Sequence, residues 1–143
     1  MKKRILILFA ALCAAVLLCS CGETKGNPIP TGMDEAAVLA AGEEIVAELN
    51  AGSWQDIYDL LRDDAKASTG SPDAIRSHME AVLEKVGPFE KIEDSMVTGQ
   101  SIKNTGEQYA TAVFYCEHEK NQALYRIAFS ADMELMGLQV KKQ

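Results

Sequence analysis

Carboxylates, histidines, tyrosines and thiols are the groups of this chain that could move a proton, hold a metal or attack a substrate. Glu117-His118-Glu119 offers metal-ligand residue types in a row. A strand sends successive side chains to opposite faces, however, so His118 points away from both acids. The chain has only two histidines, His78 and His118, and no spacing that builds a three-ligand site. No metal and no other cofactor is expected, and the triplet reads as a solvated hairpin end. Gly99-Gln100-Ser101-Ile102-Lys103 stops one glycine short of the G-x-S-x-G elbow that presents a nucleophilic serine. It also lacks the strand-turn-helix setting of that elbow. Isomerase-type proton transfer needs a carboxylate base and a tyrosine donor facing one apolar cavity. Tyr58, Tyr115 or Tyr125 could donate and Asp56 or Asp59 could accept, but both acids fall on the polar side of the stripe made by Trp54, Ile57, Tyr58 and Leu61. No catalytic residue is assigned.

Cysteine chemistry begins at the N-terminus. Met1 to Arg4 is basic, the fourteen residues 5–18 (ILILFAALCAAVLL) are apolar, and Leu18-Cys19-Ser20-Cys21 follows at once. A run this short is a secretory signal rather than a spanning helix, which needs about 20 residues. The tetrapeptide resembles the bacterial lipobox, with Cys19 departing from the usual alanine, serine or threonine. The resemblance implies a signal peptide over 1–20, cleavage after Ser20, and lipid on Cys21, with the protein held on the outer face of the cytoplasmic membrane. Two acyl chains at about 0.8 kcal/mol per buried methylene hold a protein stably on a bilayer. Residues 21–33 contain two prolines and three glycines without a hydrophobic period, which predicts a mobile tether. Cys116 is then the one thiol left in the mature domain, and its aromatic strand context reads as a small buried hydrophobe.

Three of the 14 basic residues, Lys2, Lys3 and Arg4, lie in the leader, leaving 11 against 21 acidic residues and a balance of −10. Such a surface repels phosphates, and no basic stripe interleaved with aromatics offsets it, so nucleic-acid binding is excluded.

The remaining residues, 34–143, must supply the scaffold of one domain. Asp34 caps a first helix carrying Val38, Leu39, Ile45, Val46 and Leu49 on one side. Ser53 and Asp56 form a capping-box variant ahead of a second, short helix, and 66–70 (KASTG) reads as a loop. Ser71-Pro72-Asp73 opens a third helix with Ile75, Met79, Val82, Leu83 and Val86 as its stripe, stopped by Gly87-Pro88. A polar edge strand follows from Phe89. The runs 108–119, 123–130 and 133–140 then form a three-stranded meander in which Tyr125, Ile127 and Phe129 share one face. The predicted fold class is α+β, with three N-terminal helices packed on a curved, mainly antiparallel four-stranded sheet.

The spacing around 49–61 (LNAGSWQDIYDLL), the Gly87-Pro88-Phe89 break and the last hairpin, 126–140 (RIAFSADMELMGLQV), resemble a family of uncharacterised bacterial domains in the nuclear transport factor 2-like, or cystatin-like, superfamily. The resemblance implies a sheet that wraps the third helix and encloses a conical cavity. Trp54, Tyr58, Met79, Tyr115 and Phe129 would line that cavity, or else fill it as core. Three functions stay open on this reading: a non-enzymatic domain binding a small apolar ligand or a protein partner, a small-molecule isomerase or dehydratase using the same cavity, and a module that forms homodimers through its exposed sheet face.

Overall fold

A computed structural model of the chain describes residues 26–143. The expected signal peptide, residues 1–20, and Cys21 lie outside the described residues. Four helices, α1 (Glu35–Ala51), α2 (Trp54–Leu60), α3 (Asp63–Thr69) and α4 (Pro72–Val86), precede four strands, β1 (Phe89–Ser101), β2 (Gln108–His118), β3 (Gln122–Ser130) and β4 (Leu135–Lys142). The strands form one curved sheet in chain order with every neighbouring pair antiparallel. Register shifts in β1 and between β3 and β4 bend it, as extra residues in a ladder do.

The capping signals largely act as expected. The Asp34 carboxylate accepts from the Ala36 amide, α1 ends on the left-handed Gly52, and the Ser71 hydroxyl accepts from the Ala74 amide one residue before Pro72. Two local expectations fail. Ser53 makes no side-chain bond to α2, so the anticipated capping box does not form. Residues 66–70 are no loop; all but Gly70 belong to α3, whose first turn carries Asp63 and Asp64, where the helix dipole favours acids. Only Ala65 of α3 is buried, so the helix leaves no periodic apolar stripe to read.

Alternation fixes the sheet's inner face. Ala110, Ala112, Phe114 and Cys116 of β2 and Tyr125, Ile127 and Phe129 of β3 are all buried there. Helix α1 lies across β1, β2 and β3 and buries Val38, Ile45, Val46 and Leu49 against them. Helix α4, the one expected to be wrapped, borders β4 and α2 instead. The reason is visible at Gly42, where a side chain would place its Cβ 2.6 Å from Cε2 of Phe114. Its absence lets α1 approach β2 closely and take the central position. Strand β4 starts two residues later than expected because Met133 adopts a left-handed φ of 63° in the turn, bonded through its amide to Ser130 O.

The expected tether is docked over its second half. The Gly99 amide donates to Asn27 O at 2.9 Å, the Asn27 amide donates to Thr98 Oγ1 at 3.0 Å, Pro30 is buried, and Ile29 and Met33 pack on the core. This short extended segment covers part of the free edge of β1, an edge that would otherwise be open to pairing with another chain.

Candidate functional site

An apolar cleft of about 370 Å³ lies where α3, α4 and the edge of β4 converge. Leu61, Ala65, Ile75, Met79, Met136 and Leu138 supply its walls, and Ser68, Thr69 and His78 its polar points. Local structure makes the space. Ala65 is the small residue that α3 turns inward, and Gly137 has nothing within 4 Å of where a Cβ would lie. Two methionines add adaptable walls. The volume falls in the range of small-ligand pockets, roughly 300–1,000 Å³. The lining includes no carboxylate, Ser68 Oγ donates back to Ala65 O at 3.1 Å, and His78 is the one titratable side chain on the walls, so most of the surface offered to a guest is apolar.

Of the five residues proposed from sequence, Met79 lines this cleft. Phe129 is 4% exposed within the core, and Trp54 packs against the core from α2. Tyr58 directs its hydroxyl toward the carbonyls of Lys66 and Gly70 at 3.5 and 3.4 Å, joining α2 to α3. Tyr115 lies on the outer face of the sheet, 42% exposed. The structure thus does not gather the five around one space. Asp56 and Asp59, the candidate bases, are exposed on α2. Arg126 is exposed on the outer face, and Ser101 is an exposed residue at the end of β1.

His118 is where sequence reasoning went wrong. It is 3% exposed rather than solvated, because the β2–β3 hairpin folds over the C-terminus of α4. Carbonyls at a helix end lack intrahelical donors. Here the Lys120 amide donates to Val86 O, the Glu119 amide to Pro88 O, and Asn121 Nδ2 to Lys85 O. His118 Nδ1 joins this clasp at 2.8 Å from Gly87 O, and since a carbonyl only accepts, Nδ1 carries the proton. The other nitrogen, Nε2, stands 2.9 Å from the Tyr125 hydroxyl, which in turn accepts from Asn50 Nδ2 at 3.1 Å. One chain of bonds therefore ties α1, β3, β2 and the end of α4. Burial pushes the Tyr125 hydroxyl up to about 12, so it stays protonated and able to donate. With Tyr125 fully buried and His118 nearly so, the pair is sealed from any substrate, although a buried histidine beside a tyrosine is the residue pairing an enzyme would use.

A second, polar cleft of about 460 Å³ lies beside Arg62, Glu107, Ser130 and Asp132. Its one cation is already committed. Arg62 bonds bidentately to Asp64, with both contacts at 2.7 Å, and also to Glu107 across the β1–β2 turn. The paired guanidinium holds the Asp64 carboxyl below its usual range.

No curated protein matches the chain. Its fold is similar to the NMR structure of a protein from Ruminococcus gnavus ATCC 29149, with a TM-score of 0.65 and 20% identity over 79% of this chain and 96% of that one. That likeness speaks to fold alone. Residues 42–138, from the middle of α1 to β4 and including every wall of the apolar cleft, match the model of a family described as protein of unknown function (DUF3887). The chain belongs to the DUF3887 family.

Proposed function

We propose that the protein is a lipid-anchored extracytoplasmic protein whose nuclear transport factor 2-like domain binds a small apolar ligand in the cleft between α3, α4 and β4. The cleft carries the reading: it is walled by aliphatic and thioether side chains, has three polar points, and contains no acid or base pair aimed at its interior. The anchor rests on Leu18-Cys19-Ser20-Cys21 behind a basic and apolar leader. The isomerase alternative draws little from the geometry, because its carboxylates are exposed on α2 and its buried tyrosine is sealed.

The test uses the chain from residue 22 onward, which keeps every core residue. Native mass spectrometry reads any co-purified ligand, and titration with the neutral fluorophore N-phenylnaphthylamine reads cleft occupancy. Ala65→Phe and Gly137→Val fill the cleft from two sides, and each should weaken probe binding by about tenfold. Undiminished binding in both folded variants would remove the cleft from consideration. The anchor has its own readout: Cys21→Ser should abolish fatty-acid incorporation and detergent-phase partitioning.

A homodimer through the outer sheet face is a second reading, favoured by one observation. Tyr115 is 42% exposed on that face beside Val113 and the partly buried Met96 and Leu124. Sedimentation of wild type and Tyr115→Lys at equal concentration separates a dimer from a monomer.

A further inference from the structure

Charge in the folded domain is unevenly placed. Between residues 26 and 61 there are seven acids, Asp34, Glu35, Glu43, Glu44, Glu48, Asp56 and Asp59, and no lysine, arginine or histidine. Four of them rim a groove of about 510 Å³ between α1 and α2, and its floor is apolar: Ile45, Ala47 and Leu60. At 55%, Leu60 has the greatest exposure of the large hydrophobic side chains among the described residues. Neither α1 nor α2 has a basic residue in its last turn, although cations there would complement the dipole. Glu48 and Asp59 occupy those last turns instead, adding negative charge where the helix end is already negative.

We propose that this groove is a docking surface for a protein segment bearing lysine or arginine on either side of one large apolar side chain. Leu60 and Ala47 meet the apolar side chain, while Glu44, Glu48, Asp56 and Asp59 receive the flanking cations. A metal ion fits poorly, since no three carboxylates converge on a common point among the described residues. An anionic membrane or a nucleic acid is repelled by the same acids. Electrostatic complementarity of this kind steers encounter and fixes register, and the apolar contact at the centre supplies affinity. The groove is separate from the α3/α4/β4 cleft, so a ligand in one leaves the other open.

The test uses the chain from residue 22 onward and a short fluorescent peptide of lysines and leucines, with a lysine-only peptide as comparison. The mixed peptide should bind more tightly than the lysine-only one, lose affinity as salt is raised, and shift amide resonances at 44–48 and 56–60. Leu60→Ser and the double variant Glu44→Gln/Asp59→Asn should each weaken binding by about tenfold. Both alter exposed side chains, and circular dichroism confirms that they fold. The double variant Glu84→Gln/Glu90→Gln, which removes two exposed acids elsewhere, should change it by less than about twofold. Equal losses in the two charge variants, unchanged binding in Leu60→Ser, or resonance shifts confined to another face would overturn the proposal.

Discussion

The Tyr125 hydroxyl lies 2.9 Å from Nε2 of His118, and the opposite ring nitrogen of His118 lies 2.8 Å from the carbonyl of Gly87 at the end of α4. A histidine so held is the bolt between the helical layer and the sheet. Tyr125→Phe keeps the ring and removes the hydroxyl, leaving Nε2 without a donor and Asn50 Nδ2 without this acceptor. Stability should fall by about 1–3 kcal/mol, the cost of stranding buried polar groups. A cycle with His118→Ala should show coupling of about 0.5–3 kcal/mol by urea unfolding. Nitrogen shifts of His118 near neutral pH should report a proton on Nδ1 and none on Nε2; the reverse tautomer would refute the clasp.

Alkaline pH should loosen the domain through two buried groups, Cys116 and Tyr125. Burial pushes the Cys116 thiol from 9.0 to about 12, and burial, with a smaller effect of nearby Cys116, pushes the Tyr125 hydroxyl from 10.0 to about 12. Both groups are raised in the folded state, so the unfolded chain loses those protons first. Their contribution is complete below pH 9, erodes as pH rises past 9 and 10, and is gone above about 12. Urea midpoints should drop steadily over that window, and Cys116→Ala should make the drop shallower while lowering the midpoint at neutral pH. A flat profile up to about pH 11 would contradict the burial argument.

Gly42 gives a prediction whose sign opposes helix propensity. Glycine to alanine inside a helix ordinarily gains up to about 1 kcal/mol. Here the new methyl would lie 2.6 Å from Cε2 and 2.8 Å from Cζ of Phe114, a fully buried ring, and 3.0 Å from Cβ of Ala112. Gly42→Ala should therefore lose about 1–3 kcal/mol through overpacking. Phe114→Leu in the Gly42→Ala background should cost less than Phe114→Leu alone. Additive losses in thermal unfolding would mean that the helix and strand are not in the contact described.

How much could be read beforehand depends on how local each cause is. The alternation of Tyr125, Ile127 and Phe129, the Asp34 and Ser71 caps, and the stop at Gly87 act within a few residues, and all are visible in sequence. The third helix was not, because Ala65 is its only buried residue. The burial of His118 depends on partners 7 and 31 residues away, Tyr125 and Gly87, which no local pattern links to it. Met79 was legible as an inward residue from its stripe, whereas Ser68, Thr69 and Met136 reach the cleft only because α3 exists and β4 lies beside α4. The acids of α1 and α2 were legible as a polar side, but their groove arises from the way the two helices meet.

The docked N-terminal segment yields a prediction about both mobility and reach. A Cβ at Gly99 would fall 1.7 Å from the carbonyl oxygen of Pro28, a backbone atom that cannot swing aside as a side chain can. Alanine is tolerated in a strand, and the φ of Gly99 is not left-handed, so Gly99→Ala should spare the sheet and displace the segment. Amide exchange over residues 27–33 should rise by about tenfold or more, that of β2 and β3 should barely change, and proteolysis should begin in 27–33. In the anchored form proposed above, docking leaves five residues, 22–26, between Cys21 and the domain, a reach of at most about 18 Å. Release of 27–33 would lengthen that reach, and energy transfer from a dye on the domain to labelled lipid should fall in Gly99→Ala. Unchanged exchange at 27–33 would show that the contact along β1 does not hold the segment in place.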